Sequence, residues 1–222
     1  MFNLKSKENR VLVIGDLHCP FEKEGYLDFC KIQYKKWKCN QVVFIGDIID
    51  SHYSSYHESN PDGYSAGHEL DLAIERIGKW YKAFPEATVI LGNHDRLVAR
   101  KMSSGGLSNR WMRAYSDVLK TPKWIYIESI EIDNVLYIHG DNGPGSKTRM
   151  KNEFRSIVSG HRHTECYIEW IYNKNNKCFA MQVGAGIDIK SYAMSYAKYY
   201  KSPVIACGVV INGDTPINLI MK

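Results

Sequence analysis

The chain has 222 residues, of which 44% are hydrophobic and 24% charged, proportions typical of a globular protein with an ordinary core. This length can bury a core without covalent staples, so we expect one domain over residues 1–222. The net charge of +5 is compatible with an anionic partner but does not require one. With neither a bilayer-length apolar run nor a secretory signal, the sequence argues against a membrane or secreted protein, and we expect a cytoplasmic one.

Six cysteines are scattered through the chain, and no two of them form a CxxC pair. Three of them fall in segments predicted to be strands or a core helix. We therefore expect free, buried thiols in a reducing compartment. The six are Cys19, Cys30, Cys39, Cys166, Cys178 and Cys207.

The first half of the chain alternates predicted strands and helices. Runs rich in β-branched residues predict buried strands at 11–15, 42–46 and 88–91. Apolar residues at helical spacing predict helices at 24–38 and 67–84. The predicted buried face of the second helix consists of Leu70, Ile74, Ile77, Tyr81 and Phe84. A β-α-β-α-β order favours right-handed crossovers and a mainly parallel sheet.

The second half of the chain contains turn signals between apolar segments. Strand pairs are predicted around Asp133-Asn134, around 173–177 and around Asn212-Gly213, the last being a strong two-residue hairpin signal. Residues 103–120 are predicted to be helical or irregular. An α/β half followed by hairpins favours two sheets packed face to face with helices outside.

Five apolar runs end in side chains that can bind metal ions. They read VLVIGDLH, VVFIGDIID, TVILGNHD, VLYIHGD and SIVSGHRH. The carboxyl ends of strands line one crevice in an open α/β sheet, so these groups should converge. Crowded carboxylates and imidazoles require a cation, and Asp, Asn and His together suit borderline to hard divalent ions. The groups are too many for one ion but suffice for two that share a carboxylate, an arrangement suited to phosphoester hydrolysis.

The motifs GDLH, GDIID, GNHD, HG and GHRH, in this order between residues 15 and 163, resemble the signature of calcineurin-like metallophosphoesterases, in particular the small single-domain phage and bacterial type. Each motif alone is weak, whereas the ordered set is specific. The resemblance implies a four-layer α/β/β/α sandwich of two mixed β-sheets flanked by helices. It also implies two divalent metal ions, with Mn²⁺ favoured over iron, zinc, cobalt, nickel or magnesium.

The same resemblance implies a role for each motif residue. The first metal ion would be bound by Asp16, His18 and His163, and the second by Asn93, His139 and His161. Asp47 would bridge the two ions. His94 would act at the leaving-group oxygen as general acid or charge stabiliser, and Asp50 would orient it. A metal-bridging hydroxide would attack phosphorus in line. The expected activity is hydrolysis of a phosphodiester in a nucleotide or nucleic acid.

Departures from the family pattern bear on the substrate. Ser51-His52 and Asp95 stand where protein phosphatases of this superfamily carry Arg-Gly and Glu, which favours a phosphodiesterase or nuclease. Asp141 stands where many small bacterial members have histidine, so it is kept out of the ligand set. The alternatives are a phosphomonoesterase or protein phosphatase and a catalytically inactive metal-binding scaffold.

Other residues near the motifs have weaker assignments. Arg96 and Arg162 adjoin predicted ligands and are candidate phosphate contacts. His52, His57 and His68 lie outside the motifs and are expected on the surface. Specificity is expected to reside in three loops, at 51–66, 103–123 and 141–152. Both a monomer and a homodimer are compatible with the sequence.

Overall fold

A computed structural model describes residues 8–55, 62–188, 190 and 202–222 of the protein, and the predicted surface position of His57 lies outside them. Within these ranges the strands and helices follow in this order: β1 (Arg10–Ile14), α1 (Tyr26–Lys36), β2 (Gln41–Phe44), α2 (Ala66–Ala83), β3 (Ala87–Ile90), α3 (Leu97–Ser104), α4 (Tyr115–Val118), β4 (Trp124–Ile127), β5 (Ser129–Ile132), β6 (Val135–Ile138), α5 (Ser146–Glu153), β7 (Ser156–Ser159), β8 (Tyr167–Tyr172), β9 (Lys177–Gln182), β10 (Ala206–Ile211) and β11 (Thr215–Ile220). Two short 3₁₀ helices occupy His52–Ser54 and Asn109–Trp111.

The first sheet has the strand order β11-β10-β1-β2-β3-β4. Strands β1 to β4 run parallel, as the alternating pattern of the first half predicts. Strand β10 pairs with β1 in antiparallel register, and β11 closes the predicted hairpin beside it. The sheet is therefore mixed, with its parallel part supplied by the first half of the chain.

The second sheet has the order β5-β6-β7-β9-β8. Its central strands β6, β7 and β9 are parallel, and β5 and β8 are joined to them as antiparallel edge strands. Asp133 and Asn134 both adopt a left-handed backbone in the β5–β6 turn, which is the conformation that a two-residue hairpin of this kind requires. Both hairpins predicted for this sheet are confirmed.

Hydrophobic cores lie between the four layers. On β1, Leu12 and Ile14 pack beneath the helices, while Val11 and Val13 face the second sheet. Burial on both faces explains why this strand reads as a continuous apolar run rather than an alternating one. A further core joins the second sheet to α5 through Met150. The predicted four-layer α/β/β/α sandwich is confirmed.

Helix α2 buries a face slightly different from the predicted one. Ala73, Ile77 and Trp80 form the buried stripe, which continues to Phe84 just beyond the helix. Leu70 was expected on that face but is 37% exposed. The small residue Ala73, not the larger Leu70, faces the sheet, because the stripe follows steps of three and four residues back from Trp80.

The loop predicted at 141–152 is partly helical. Helix α5 supplies the fourth layer, although its sequence SKTRMKNE contains one apolar residue, Met150. Such a short polar segment has no amphipathic pattern, and its helix depends on packing Met150 against β7 and β9. Residues 103–120 contain the end of α3, a 3₁₀ turn and α4, in agreement with the prediction that this segment is helical or irregular.

The cysteines behave as the sequence indicates. All six are free thiols, and five of them are buried, with Cys166 half-buried. Among the helices that the structure describes, none combines the length and the apolar character needed to cross a membrane.

Candidate metal centre

The predicted ligands lie at the carboxyl ends of strands from both sheets. Strands β1, β2 and β3 of the first sheet lead into the GDLH, GDIID and GNHD loops, and β6 and β7 of the second sheet lead into the HGD and GHRH loops. The two sheets therefore contribute to one site at a common edge. From the sequence, the metal-binding side chains were expected to converge at the edge of a single open sheet. In the structure they converge at the edge of two packed sheets.

One group of side chains combines Asp16, His18, Asp47 and His163, with one ligand atom of each within 4.8 Å of the others. His18 Nε2 lies 3.1 Å from His163 Nε2 and 3.7 Å from Asp47 Oδ2. His163 Nε2 lies 3.0 Å from Asp16 Oδ2. Two imidazole nitrogens and two carboxylates thus face one small volume.

A second group combines Asp47, His139 and His161 within the same distance. His139 Nε2 lies 3.1 Å from Asp47 Oδ2 and 3.0 Å from Asn93 Oδ1. Asp47 therefore belongs to both groups, and the amide of Asn93 adjoins the second. All seven ligands expected from the sequence are brought together around this shared carboxylate.

The orientation of the imidazoles suits divalent cations. His18 Nδ1 lies 2.6 Å from the Asp50 carboxylate, and His139 Nδ1 lies 3.0 Å from the main-chain oxygen of Ile45. In each neutral ring the proton is held at Nδ1, so the lone pair of Nε2 faces carboxylate or amide oxygens. Asp16 Oδ1 is buried with no hydrogen-bond partner among the described residues. An acceptor-only cluster of this kind fits metal ions with mixed nitrogen and oxygen ligands.

The buried carboxylates of the cluster also stabilise positive charge on the imidazoles beside them. Burial opposes a charge on His139, but Asp47 and Asp16 outweigh it and raise the pKa of His139 to about 10. Burial likewise opposes the charge of Asp47, but the imidazoles of His139 and His94 outweigh it and hold the pKa of Asp47 well below its ordinary value. Without a metal ion, a proton on His139 thus offsets part of the negative charge of Asp47 and Asp16.

Backbone geometry explains the glycines in the motifs. A Cβ added at Gly92 would overlap the carboxylate of Asp47, and one added at Gly160 would overlap the carboxylate of Asp16. Three of the candidate ligands adopt a left-handed backbone, which L-residues adopt at a cost in energy: His18, Asp47 and His161. The close approach of chain segments shapes the site, and the glycines make that approach sterically possible.

His94 lies at the edge of the centre with its ring partly exposed. Its Nδ1 lies 2.6 Å from the main-chain oxygen of Asp50 and 3.5 Å from the carboxylate of Asp50. The carboxylate of Asp50 is closer to His18, so Asp50 holds His94 chiefly through its main chain. Burial lowers the pKa of His94, but Asp47 and Asp50 outweigh it and raise the pKa above its ordinary value.

Two residues near the centre were not recognised from the sequence. His52 was expected on the surface, but it is buried, with Nδ1 3.8 Å from Asp50 Oδ2 and its main-chain N–H donating to Glu69. That expectation was wrong because the partner Glu69 comes from α2, 17 residues further along the chain. His68 is exposed, as expected.

Asp95 is the second residue whose role sequence reasoning missed. Its buried carboxylate accepts hydrogen bonds from the main-chain N–H groups of Ile48, Ile49 and Gly92, at 3.0, 3.2 and 2.8 Å. It thereby ties the loop that carries Asp47 to the loop that carries Asn93 and His94. Burial and the nearby charge of Asp47 raise the pKa of Asp95 to about 6.

The two candidate phosphate-binding arginines are engaged elsewhere. Arg96 donates to Asp141 at 2.5 Å and to Glu128 at 2.7 Å, so its charge is balanced by two carboxylates. Arg162 lies 3.4 Å from Glu165 and packs closely against Gly145. The Arg96–Asp141 pair joins the GNHD loop to the HGD loop, which gives Asp141 a contact that the sequence left open.

Comparison with known proteins gives one family match. The chain matches the family model for calcineurin-like phosphoesterases over residues 9–182. No curated protein matches the chain. Among solved structures, Vacuolar Protein Sorting 29 from Cryptosporidium parvum is similar with 14% identity and a TM-score of 0.50, over 97% of this chain and 98% of that one. That likeness supports the fold alone.

Two further solved structures are similar at lower scores. They are Yfce, a phosphoesterase from E. coli (11% identity, TM-score 0.43, 96% of this chain and 100% of that one), and the nuclease MPE from Pseudomonas putida (12% identity, TM-score 0.38, 93% and 86%). Scores this low carry no argument about activity or substrate.

Proposed function

The chain belongs to the calcineurin-like phosphoesterase family, and from this premise we propose that it hydrolyses a phosphodiester, in a nucleotide or nucleic acid, at a centre of two divalent metal ions. The observation that carries the proposal is the position of Asp47, which belongs to two adjoining groups of ligand atoms at once. A carboxylate shared between two ligand sets is the feature that a dinuclear centre requires and a single-ion site does not.

In this proposal each ion has its own ligands. The first ion would be held by Asp16, His18 and His163 and the second by Asn93, His139 and His161, and Asp47 would contribute to both sites. Mn²⁺ is favoured. Iron, zinc, cobalt, nickel and magnesium are alternatives, because ligand type alone does not select among these ions. When bound, two such ions activate water for attack on phosphorus and neutralise the charge of the phosphoryl oxygens.

The residue proposed to handle the proton is His94. Its Nδ1 donates to the main-chain oxygen of Asp50, which directs Nε2 away from that loop. A ring protonated on both nitrogens can then donate from Nε2 to the leaving-group oxygen. The ring is close enough to the ligands to meet a bound substrate, since its centroid lies 4.5 Å from that of His18.

The charges around the centre favour a diester over a monoester. A phosphomonoester carries an additional negative charge, and enzymes commonly meet such a charge with an arginine or lysine. The basic side chains next to the ligands are already paired, Arg96 with Asp141 and Glu128, and Arg162 with Glu165. This supports a phosphodiesterase and makes a phosphomonoesterase or protein phosphatase the second candidate.

The experiment is hydrolysis of bis-p-nitrophenyl phosphate and p-nitrophenyl phosphate by metal-stripped protein, with Mn²⁺, Mg²⁺, Zn²⁺ or no metal added back. We expect metal-dependent hydrolysis that is faster on the diester and is lost in Asp47→Ala. Asp28→Ala, which removes an exposed carboxylate from α1, is the matched control and should keep full activity. Faster hydrolysis of the monoester would favour the second candidate. Folded protein that binds two ions but hydrolyses neither ester would favour an inactive scaffold.

A further inference from the structure

The chain segment that follows the GNHD motif has basic residues and no acidic ones. Residues 97–116, here called the cationic arm, contain Arg100, Lys101, Arg110 and Arg113 and no Asp or Glu. Helix α3 begins the arm at Leu97, and the 3₁₀ turn Asn109–Trp111 follows. The arm therefore carries four positive charges on the part of the chain that follows the proposed proton donor.

Two of these cations differ from the other basic side chains near the centre. Arg110 and Arg113 are exposed and form no ion pair with any residue that the structure describes. Five other basic residues, in the motif loops and on α5, are each paired with a carboxylate. Those residues are Arg96, Lys147, Arg149, Lys151 and Arg162. The positive charges of Arg110 and Arg113 are thus available to an external anion.

An exposed tryptophan lies between the two arginines. Trp111 is 82% exposed, which is unusual for so large an apolar side chain. Leu107, also on the arm, is 57% exposed. A flat aromatic face flanked by unpaired arginines is the combination that binds single-stranded nucleic acid, with bases stacking on the ring and phosphates meeting the guanidinium groups.

An apolar cavity lies between the arm and the loops that carry the candidate ligands. It has a volume of about 500 Å³, and its lining includes Met102, Met112 and Arg113 of the arm and Ser51 and Asp95 of those loops. This volume is within the usual range for ligand pockets, roughly 300–1,000 Å³. Its recessed apolar walls suit a flat, unpaired base, whereas a base inside a duplex could not enter.

The arm is attached to the loop of the proposed proton donor. Tyr115, which also lines the cavity, donates a hydrogen bond from its hydroxyl to the main-chain oxygen of Asp95 at 2.7 Å. Asp95 follows His94 directly in the chain. A strand bound along the arm would therefore lie beside the centre.

We infer that the cationic arm binds single-stranded nucleic acid, with a base stacked on Trp111, phosphates at Arg110 and Arg113, and an unpaired base in the apolar cavity. The inference names the substrate class of the proposed phosphodiesterase and rests on that proposed function. An acidic peptide would use the arginines but has no flat faces for Trp111. A membrane surface would use Trp111 and the arginines but not the recessed cavity.

The test is binding of a fluorescein-labelled oligothymidylate of twelve nucleotides to the full chain in EDTA, measured by fluorescence anisotropy. We expect Trp111→Ala to weaken binding by about tenfold, and Trp111→Phe to keep most of the affinity. We expect Arg110→Ala/Arg113→Ala to weaken binding and to lower the salt dependence of log K by about 1.4, roughly 0.7 for each phosphate that no longer meets an arginine. A duplex of the same length should bind more weakly than the single strand.

A matched control lies at the opposite end of the first sheet. Lys35 and Lys36 end α1, and Lys36 lies 5.8 Å from the ring of Trp37. Lys35→Ala/Lys36→Ala removes the same charge beside an aromatic ring and should leave binding unchanged. Equal weakening in this control, or unchanged binding in both arm variants, would overturn the inference. Arm variants that lose binding to phosphatidylserine vesicles or to polyglutamate as strongly as to the oligonucleotide would also overturn it.

Hydrolysis and binding by the wild-type protein separate this inference from the proposed function. Hydrolysis of bis-p-nitrophenyl phosphate in Mn²⁺ reports on the metal centre, because this small ester has neither nucleobases nor a chain of phosphates to occupy the arm. A wild-type protein that hydrolyses no diester but binds the oligonucleotide through the arm would refute the proposed function alone. Full diester hydrolysis with arm-independent binding would refute the inference alone. Thermal unfolding of each variant verifies that it is folded.

Discussion

His18 Nδ1 lies 2.6 Å from Oδ1 of Asp50, and both side chains are buried. This hydrogen bond fixes which ring nitrogen of His18 faces the proposed first metal ion. It also gives the carboxylate of Asp50 a contact that the sequence did not suggest, while His94 is held chiefly by the main-chain oxygen of Asp50. Removing the carboxylate should therefore affect metal binding before it affects proton transfer.

For Asp50→Ala we expect metal affinity to fall by about 10- to 100-fold, since His18 would lose the partner that holds its proton at Nδ1. Asp50→Asn keeps an oxygen acceptor and should lose less. The measurement is Mn²⁺ titration by calorimetry, with Asp28→Ala as the exposed-carboxylate control. Unaltered affinity in Asp50→Ala would show that His18 does not depend on this contact.

His94→Ala should retain two metal ions and lose about 100-fold in turnover of a diester with a poor leaving group. The loss should be smaller for a p-nitrophenyl ester, because a good leaving group departs without a donated proton. The measurement is kcat for a phenyl and a p-nitrophenyl diester, with metal content determined in parallel. An equal loss on both esters would argue against His94 as the proton donor.

Gly92→Ala should disrupt the centre, because the added methyl group would overlap the carboxylate of Asp47. We expect weaker metal binding and a loss of about 1–3 kcal/mol in the free energy of unfolding. Gly78→Ala is the matched control, since nothing lies within 4 Å of the added Cβ in the middle of α2. That variant should gain roughly 0.5–1 kcal/mol from helix propensity. Equal stability and metal affinity of the two variants would contradict the close approach at Gly92.

The stability of the metal-free protein should depend on pH through Asp47 and His139. The pKa of Asp47 is lowered, so its contribution is present above its ordinary value of 3.8 and is lost as pH falls through the lower folded value. The pKa of His139 is raised to about 10, so its contribution is present below 6.5 and is lost as pH rises from there toward 10.

The contribution of Asp47 and His139 to the free energy of unfolding should therefore be greatest between pH 3.8 and 6.5. The measurement is denaturant unfolding in EDTA over a series of pH values. His139→Gln should flatten the decline above that window. Saturating Mn²⁺ should oppose the decline, because bound ions require a deprotonated imidazole. A wild-type protein whose stability does not fall above pH 6.5 without metal would contradict the assigned coupling.

Much of the fold and the candidate site follows from local patterns. The strands at 11–15, 42–46 and 88–91 were predicted to within one or two residues at each end, because burial on both faces produces unbroken apolar runs. The Asn212-Gly213 turn was predicted because both residues must adopt positive φ. Helix α5 was not predicted, since its stability comes from packing Met150 rather than from its own sequence pattern.

The order and chemistry of the motifs were sufficient to name the seven candidate ligands and the family. Residue type and the position at a strand end are local properties, and the sequence contains them directly. Other features depend on distances between residues far apart in the chain. They are the grouping of candidate ligands around Asp47, the closer contact of the Asp50 carboxylate with His18 than with His94, and the burial of His52 beside Asp50. Only the packing of two sheets and α2 sets those distances, because side chains from separate elements meet where the hydrophobic cores bring their strand ends together.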